Sequence, residues 1–99
     1  MLIVAGSGRT DPERRAELLR WFETEIRRAR TEPGCLDYVV SADPVAPDRV
    51  NVFERWESEE ELAAHLAAMP PIPDDVGPFR SVLVERFVVV SSAPMATAE

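Results

Sequence analysis

Three proline-bearing breaks, EPGC at residues 32–35, PVAPD at 44–48 and PPIPDDVGPF at 70–79, most restrict what this chain can fold into. Proline cannot donate to a strand ladder or continue a helix interior, so each stretch between breaks holds one or two short elements. Ahead of the first break, MLIVAGSG reads as a short buried strand from Leu2 to about Ala5, closed by Gly6 and Gly8 in a turn. TDPERRAELLRWFETEIRRAR then places Leu18, Leu19, Phe22, Ile26 and Ala29 at three- and four-residue steps, the pattern of an amphipathic helix. Asp11 ahead of Pro12, or Thr10 with Glu13 as a capping box, starts it; Pro33 and Gly34 stop it.

Between the first and second breaks, CLDYVVSAD reads as a strand with Leu36, Tyr38 and Val40 on one face and Asp37, Val39 and Ser41 on the other. RVNVFERWE follows as its antiparallel neighbour, with Val50, Val52, Glu54 and Trp56 on one parity and Asn51, Phe53, Arg55 and Glu57 on the other. SEEELAAHLAAM is the second helix: Ser58 and Glu61 have capping-box spacing, Glu59 and Glu60 suit the first turn, and Leu62, Leu66 and Met69 make the buried stripe. After the Pro-rich loop, RSVLVERFVVVS closes the fold as a strand and SAPMATAE is a frayed tail. A single domain over residues 1–91 with a flexible tail at 92–99 is the expected organisation.

The order strand, helix, strand, strand, helix, strand gives an α+β, ferredoxin-like βαββαβ fold: a four-stranded antiparallel sheet with two helices on one face. VLVERFVVV is apolar at both parities apart from Glu85 and Arg86, so an uncovered outer face would expose Val and Phe to water. A second copy packed there would bury it, which makes a homodimer through the sheet face the expected assembly.

Composition narrows the chemistry. Eighteen acidic against eleven basic residues give a net charge of -7, which opposes a phosphate-binding surface and so nucleic acid. No apolar run approaches the length of a membrane span, and LIVAG opens with no basic segment ahead of it, so a soluble, cytoplasmic protein is expected. All eleven cations are arginine, which removes a Schiff-base amine, and the cluster of them between Arg9 and Arg30 reads as a mixed-charge helix face. One cysteine and one histidine make neither a disulfide nor a thiolate zinc site, and GSG lacks the context of a phosphate loop. No metal and no cofactor are expected.

PGCLDYVV entering the second strand and VFERWESEEELAAHL running from the third strand into the second helix resemble the antibiotic biosynthesis monooxygenase family of dimeric α+β barrel proteins. The resemblance covers about residues 2 to 90. It implies a homodimer joined sheet to sheet, with a pocket in each subunit between helices and sheet. Members of that family include cofactor-independent oxygenases of anthrones and quinols, haem-degrading enzymes and quorum-signal processing enzymes. The haem-degrading branch uses an asparagine on its first strand, and MLIVAGSG has none.

The sole histidine, His65, lies three residues after Leu62, at the edge of the buried stripe, where an imidazole can serve as the base that removes a phenolic or activated C–H proton. Read structurally, it is instead bonded to a carbonyl or to Glu54 or Glu61. Trp56 ends the third strand and can stack on a planar ring; Glu54 shares its face and can orient the imidazole. Phe22, Tyr38 and Phe79 are the candidate ring-binding walls, Phe79 with Arg80 a candidate lid, and Arg55 or Arg86 candidate anion partners. Cys35 reads as a small strand residue. The leading expectation is a cofactor-independent monooxygenase acting on a planar quinol or anthrone, with His65 and Trp56 catalytic and a small aromatic substrate. A non-catalytic dimeric small-molecule binder of the stress type and an isomerase or processing enzyme for a small signal are the alternatives.

Overall fold

In the computed structural model, which describes residues 1–98, β1 (Leu2–Arg9) leads through a 3-10 turn (Pro12–Arg14) into α1 (Arg15–Ala29). The hairpin β2 (Cys35–Ala42) and β3 (Arg49–Trp56), then α2 (Glu59–Ala68) and β4 (Ser81–Val88), complete the chain. The sheet order is β2-β3-β1-β4, with every pairing antiparallel, so the expected α+β ferredoxin-like topology is the one observed. Glu99, the last residue of the expected tail, lies outside the described residues.

The core gathers one face of the sheet against both helices. Leu2, Tyr38, Val40, Val50 and Trp56 meet Leu18, Phe22 and Ala29 of α1 and Leu62 of α2 in a single buried cluster. Tyr38 and Val40 point inward as the alternation requires, but Leu36 does not. A register shift between Cys35 and Asp37 turns Leu36 out of the ladder, and it is exposed. A bulge inserts one residue and so reverses the parity of what precedes it.

Gly6 and Gly8 do not close a turn; they sit inside β1, which runs on to Arg9 as a central strand between β3 and β4. Glycine is needed at these positions by contact and not by a turn. A Cβ on Gly6 would lie 2.1 Å from the Leu83 carbonyl oxygen of β4, and one on Gly8 would lie 2.5 Å from the ring of Phe79. The turn glycine is Gly34, at φ 78°, where the chain reverses after α1.

Helix starts follow the sequence in position more than in chemistry. Asp11 stands at the cap with Pro12 behind it, yet its side chain caps nothing and lies 3.4 Å from Arg80; the Thr10–Glu13 box does not form. Ser58 does cap α2, its Oγ accepting from the Glu61 N–H at 3.3 Å. The inward residues of α2 are Leu62 and His65, whereas Leu66 is 62% exposed. The buried stripe therefore runs through the histidine and leaves the expected leucine outside.

The 44–48 link is tied down by Asp43, whose carboxylate accepts from the Val45 and Ala46 N–H groups and from Asn51. These bonds to the ionised form hold its carboxyl at about 2. Arg15 of α1 donates to the Asp43, Ala46 and Arg49 carbonyls, so this arginine is a brace between helix and hairpin and not part of a solvated face. On β4, Val82, Leu83, Phe87 and Val88 are all exposed, on both sides of the strand.

Gly6→Ala should destabilise the fold by about 2–4 kcal/mol, since its methyl group meets backbone that cannot move without parting β1 from β4. Urea unfolding of the two proteins at neutral pH measures the difference.

Candidate functional site

The inward positions of α1 step through Leu18, Phe22, Glu25 and Ala29, and the helical period thus delivers a carboxylate to the core. Glu25 is 2% exposed. An isolated charge there would be costly, and the next turn of the same helix supplies its partner: Arg28 forks onto it, Nε to Oε1 at 2.7 Å and Nη2 to Oε2 at 2.9 Å. That fork raises the Arg28 guanidinium above its ordinary value. Arg28 also reaches Glu32, just past the helix, at 3.3 Å.

His65 comes down from α2 onto this cluster. Its Nδ1 is 2.6 Å from Glu32 Oε1, and its Nε2 is 4.0 Å from Glu25 Oε2. A carboxylate only accepts, so the short contact assigns the proton to Nδ1 and leaves the Nε2 side toward Glu25. The ring lies 4.7 Å from the Trp56 indole, tilted by 35°, and 5.2 Å from Tyr38 edge-on. His65 is 1% exposed and Trp56 fully buried.

Of the residues expected at the site, His65, Trp56, Tyr38 and Glu54 come together, while Phe22 and Phe79 form a separate tilted pair 6.2 Å apart. The expected Glu54–His65 bond is not made. Glu54 accepts instead from the Trp56 indole N–H at 2.9 Å, its neighbour two residues along the same face, and Glu61 packs under Gly34. Burial pushes the Glu54 carboxyl up, against the opposing pull of that hydrogen bond and of His65. Burial likewise pushes up the Tyr38 phenol, aided by the Glu54 charge, and the Cys35 thiol, which keeps the latter from acting as a thiolate.

Glu25, Arg28 and Glu32 escaped the sequence reading. The signal was present, since position 25 completes the Leu18–Phe22–Ala29 stripe, but a carboxylate on an apolar stripe looks like a break in the pattern. Arg55, Arg80 and Arg86 do not converge on the imidazole; they pair with Asp37, with Asp11 and Asp48, and with Glu59. Among the described residues no group of three or more histidine, cysteine or acidic side chains is arranged to hold a metal ion, and no helix is long and apolar enough to cross a membrane.

Two cavities lie near these features. One of about 80 Å³ opens between α1 and the chain leaving α2, lined by Trp21, Thr24, Glu25, Arg28 and Pro70. A wider one of about 510 Å³ lies on the far side of the sheet, between Ile3 and Arg55 and the residues after β4. Neither is lined by His65 or Trp56.

A four-stranded antiparallel sheet with both helices packed on one face defines the broad class of α+β, ferredoxin-like proteins. Within it, residues 1–69 match the model of the antibiotic biosynthesis monooxygenase family, and the chain belongs to that family. The uncharacterized protein sll1783 of Synechocystis is 30% identical over 64 residues, covering 65% of this chain and 44% of that protein. The chain thus spans less than half the length of that relative. A candidate antibiotic biosynthesis monooxygenase from Deinococcus radiodurans shares the fold at a TM-score of 0.81 and 22% identity, over 98% of this chain and all of that one. Rv0793 from Mycobacterium tuberculosis does so at 0.75 and 23%, over 94% and 98%.

The Glu54 shift gives a pH test. A carboxyl raised by burial favours the native state while protonated and opposes it once ionised, so this stability is present below its ordinary value near 4.5 and is lost as pH rises through the folded value. Glu54→Gln, which can still accept from Trp56, should melt at a temperature that climbs relative to the parent as pH is raised from acid to neutral, as thermal scans across that range would record.

Proposed function

We propose that this protein is a cofactor-independent monooxygenase acting on a planar, acidic aromatic of the quinol or anthrone type. The observation that carries the reading is the His65 imidazole held at Nδ1 by Glu32 and set against the Trp56 indole, in a chain of this family. A base whose far nitrogen is fixed by a carboxylate has its tautomer and orientation decided in advance, which is what proton abstraction requires. The substrate anion so formed is electron-rich enough to react with dioxygen itself, with the imidazolium balanced by Glu32. Oxygen uptake on a panel of quinols and anthrones tests this. His65→Gln should lower turnover by about 100-fold or more, and Trp56→Phe by less, with the folded state checked by circular dichroism. Uptake that is unchanged in His65→Gln removes the role given to this residue.

A second reading, a non-catalytic dimeric binder, is favoured by one observation: His65 is 1% exposed and lies beneath α2 in a filled core. On that reading the imidazole is a structural pin, and no member of the panel is consumed even though His65→Gln unfolds more easily.

The sheet supports a dimeric assembly. Ile3, Ala5, Val39, Phe53, Leu83 and Phe87 share the face away from the helices by register, and Phe53, Leu83 and Phe87 are exposed. A patch of this kind on one side of a small domain suits an isologous contact with a second copy. Light scattering should give twice the chain mass for the parent and the chain mass for Phe53→Glu with Leu83→Glu.

A further inference from the structure

The cavity between α1 and the exit of α2 has two kinds of wall. Trp21 and Pro70 offer flat apolar surfaces, and the Trp21 indole is held upright by an edge contact with Phe22 at 5.0 Å and 86°. The polar part is the Glu25–Arg28 pair, and Thr24 stands exposed at the rim. Apolar walls with one or two oriented polar groups are the lining of small-molecule sites. Glu25 belongs both to this cavity and to the surroundings of the imidazole, since its Oε2 lies 4.0 Å from His65 Nε2.

We propose that this cavity binds the edge of a single hydroxylated aromatic ring, flanked by Trp21 and Pro70, with its hydroxyl donating to Glu25. The substrate class rests on the monooxygenase reading above; the site itself does not. Size supports one ring. At about 80 Å³ the cavity is smaller than the roughly 150 Å³ that encloses a benzene molecule, so a ring enters by its edge and the rest remains in solvent past Thr24. Both Glu25 oxygens already accept from Arg28, and a carboxylate has further acceptor capacity on each, so a hydroxyl can join without breaking the fork. Binding there sets the hydroxyl on Glu25, whose Oε2 lies 4.0 Å from His65 Nε2.

Calorimetric titration of the full chain with hydroquinone and with 1,4-dimethoxybenzene, which has the same ring but no hydroxyl donor, tests the site. Hydroquinone should bind saturably, with the dimethyl ether at least about 10-fold weaker, because a hydrogen bond to a charged acceptor is lost. Thr24→Trp, an exposed rim substitution that fills the cavity without touching the core, should weaken hydroquinone by about 10-fold or more, and Trp21→Ala should do so by removing the stacking wall. Equal affinity for the two ligands, or hydroquinone binding that survives Thr24→Trp and Trp21→Ala, overturns the proposal. Hydroquinone that binds as described, while no quinol or anthrone of the panel consumes oxygen, upholds the site and defeats the monooxygenase reading. Oxygen uptake on hydroquinone that is indifferent to Thr24→Trp defeats the site and leaves that reading standing.

Discussion

Much of the helical layer depends on the contact between His65 and Glu32. α2 is ten residues long and buries only Leu62 and His65, so its apolar area alone gives it little hold on the sheet. The imidazole makes up the difference by reaching past the leucine to the far end of α1, where Glu32 accepts from it at 2.6 Å. Arg28 then ties Glu32 back to Glu25, so three residues of the α1 end and one of α2 form a single hydrogen-bonded cluster. Such units gain little over well-packed hydrocarbon, but losing one member strands the others, at about 3–5 kcal/mol. The cluster makes the docking of α2 specific: only one rotation of the helix brings His65 to its carboxylate.

This arrangement explains why a glutamate can occupy the inward face of α1. Burying Glu25 among Phe22, Ala29 and the sheet would be prohibitive without a cation, and the i,i+3 spacing to Arg28 supplies one from the same helix before any tertiary contact forms. Glu54 solves the same problem differently, with a single neutral donor from Trp56, and consequently keeps a raised carboxyl. Two buried glutamates on facing elements thus differ in what stabilises them.

The architecture was legible because hydrophobic period and proline punctuation agree on every element, from the Leu18–Phe22–Ala29 stripe to the strand alternation around Tyr38 and Val40. Where reading by period failed, a tertiary contact had overruled it. Gly6 and Gly8 look like a turn in isolation and are strand residues because β4 and Phe79 press against them. Leu36 is displaced by a bulge that no local pattern announces. Leu66 turns out to solvent because the charged partner of His65 on another element holds α2 by its histidine side. The gathering of His65, Trp56 and Tyr38 followed from parity and helical phase, but the partner of the imidazole did not: Glu32 is 33 residues away in a turn, and nothing local distinguishes it from Glu54 or Glu61.

β1 is the first of the four strands in chain order and a central one, and its two neighbours come late: β3 follows across about half the chain and β4 only after α2 and the Pro-rich loop. On a ribosome the edge of β1 that will receive β4 therefore stays open until the last of the four strands has emerged, and the strand that closes it is apolar on both faces. Pairings so distant in sequence form slowly, and an open strand edge is a template for foreign strands. Glu85 and Arg86 in the middle of β4 then acquire a second meaning: they are the charges that interrupt an otherwise continuous apolar strand during the interval before it docks.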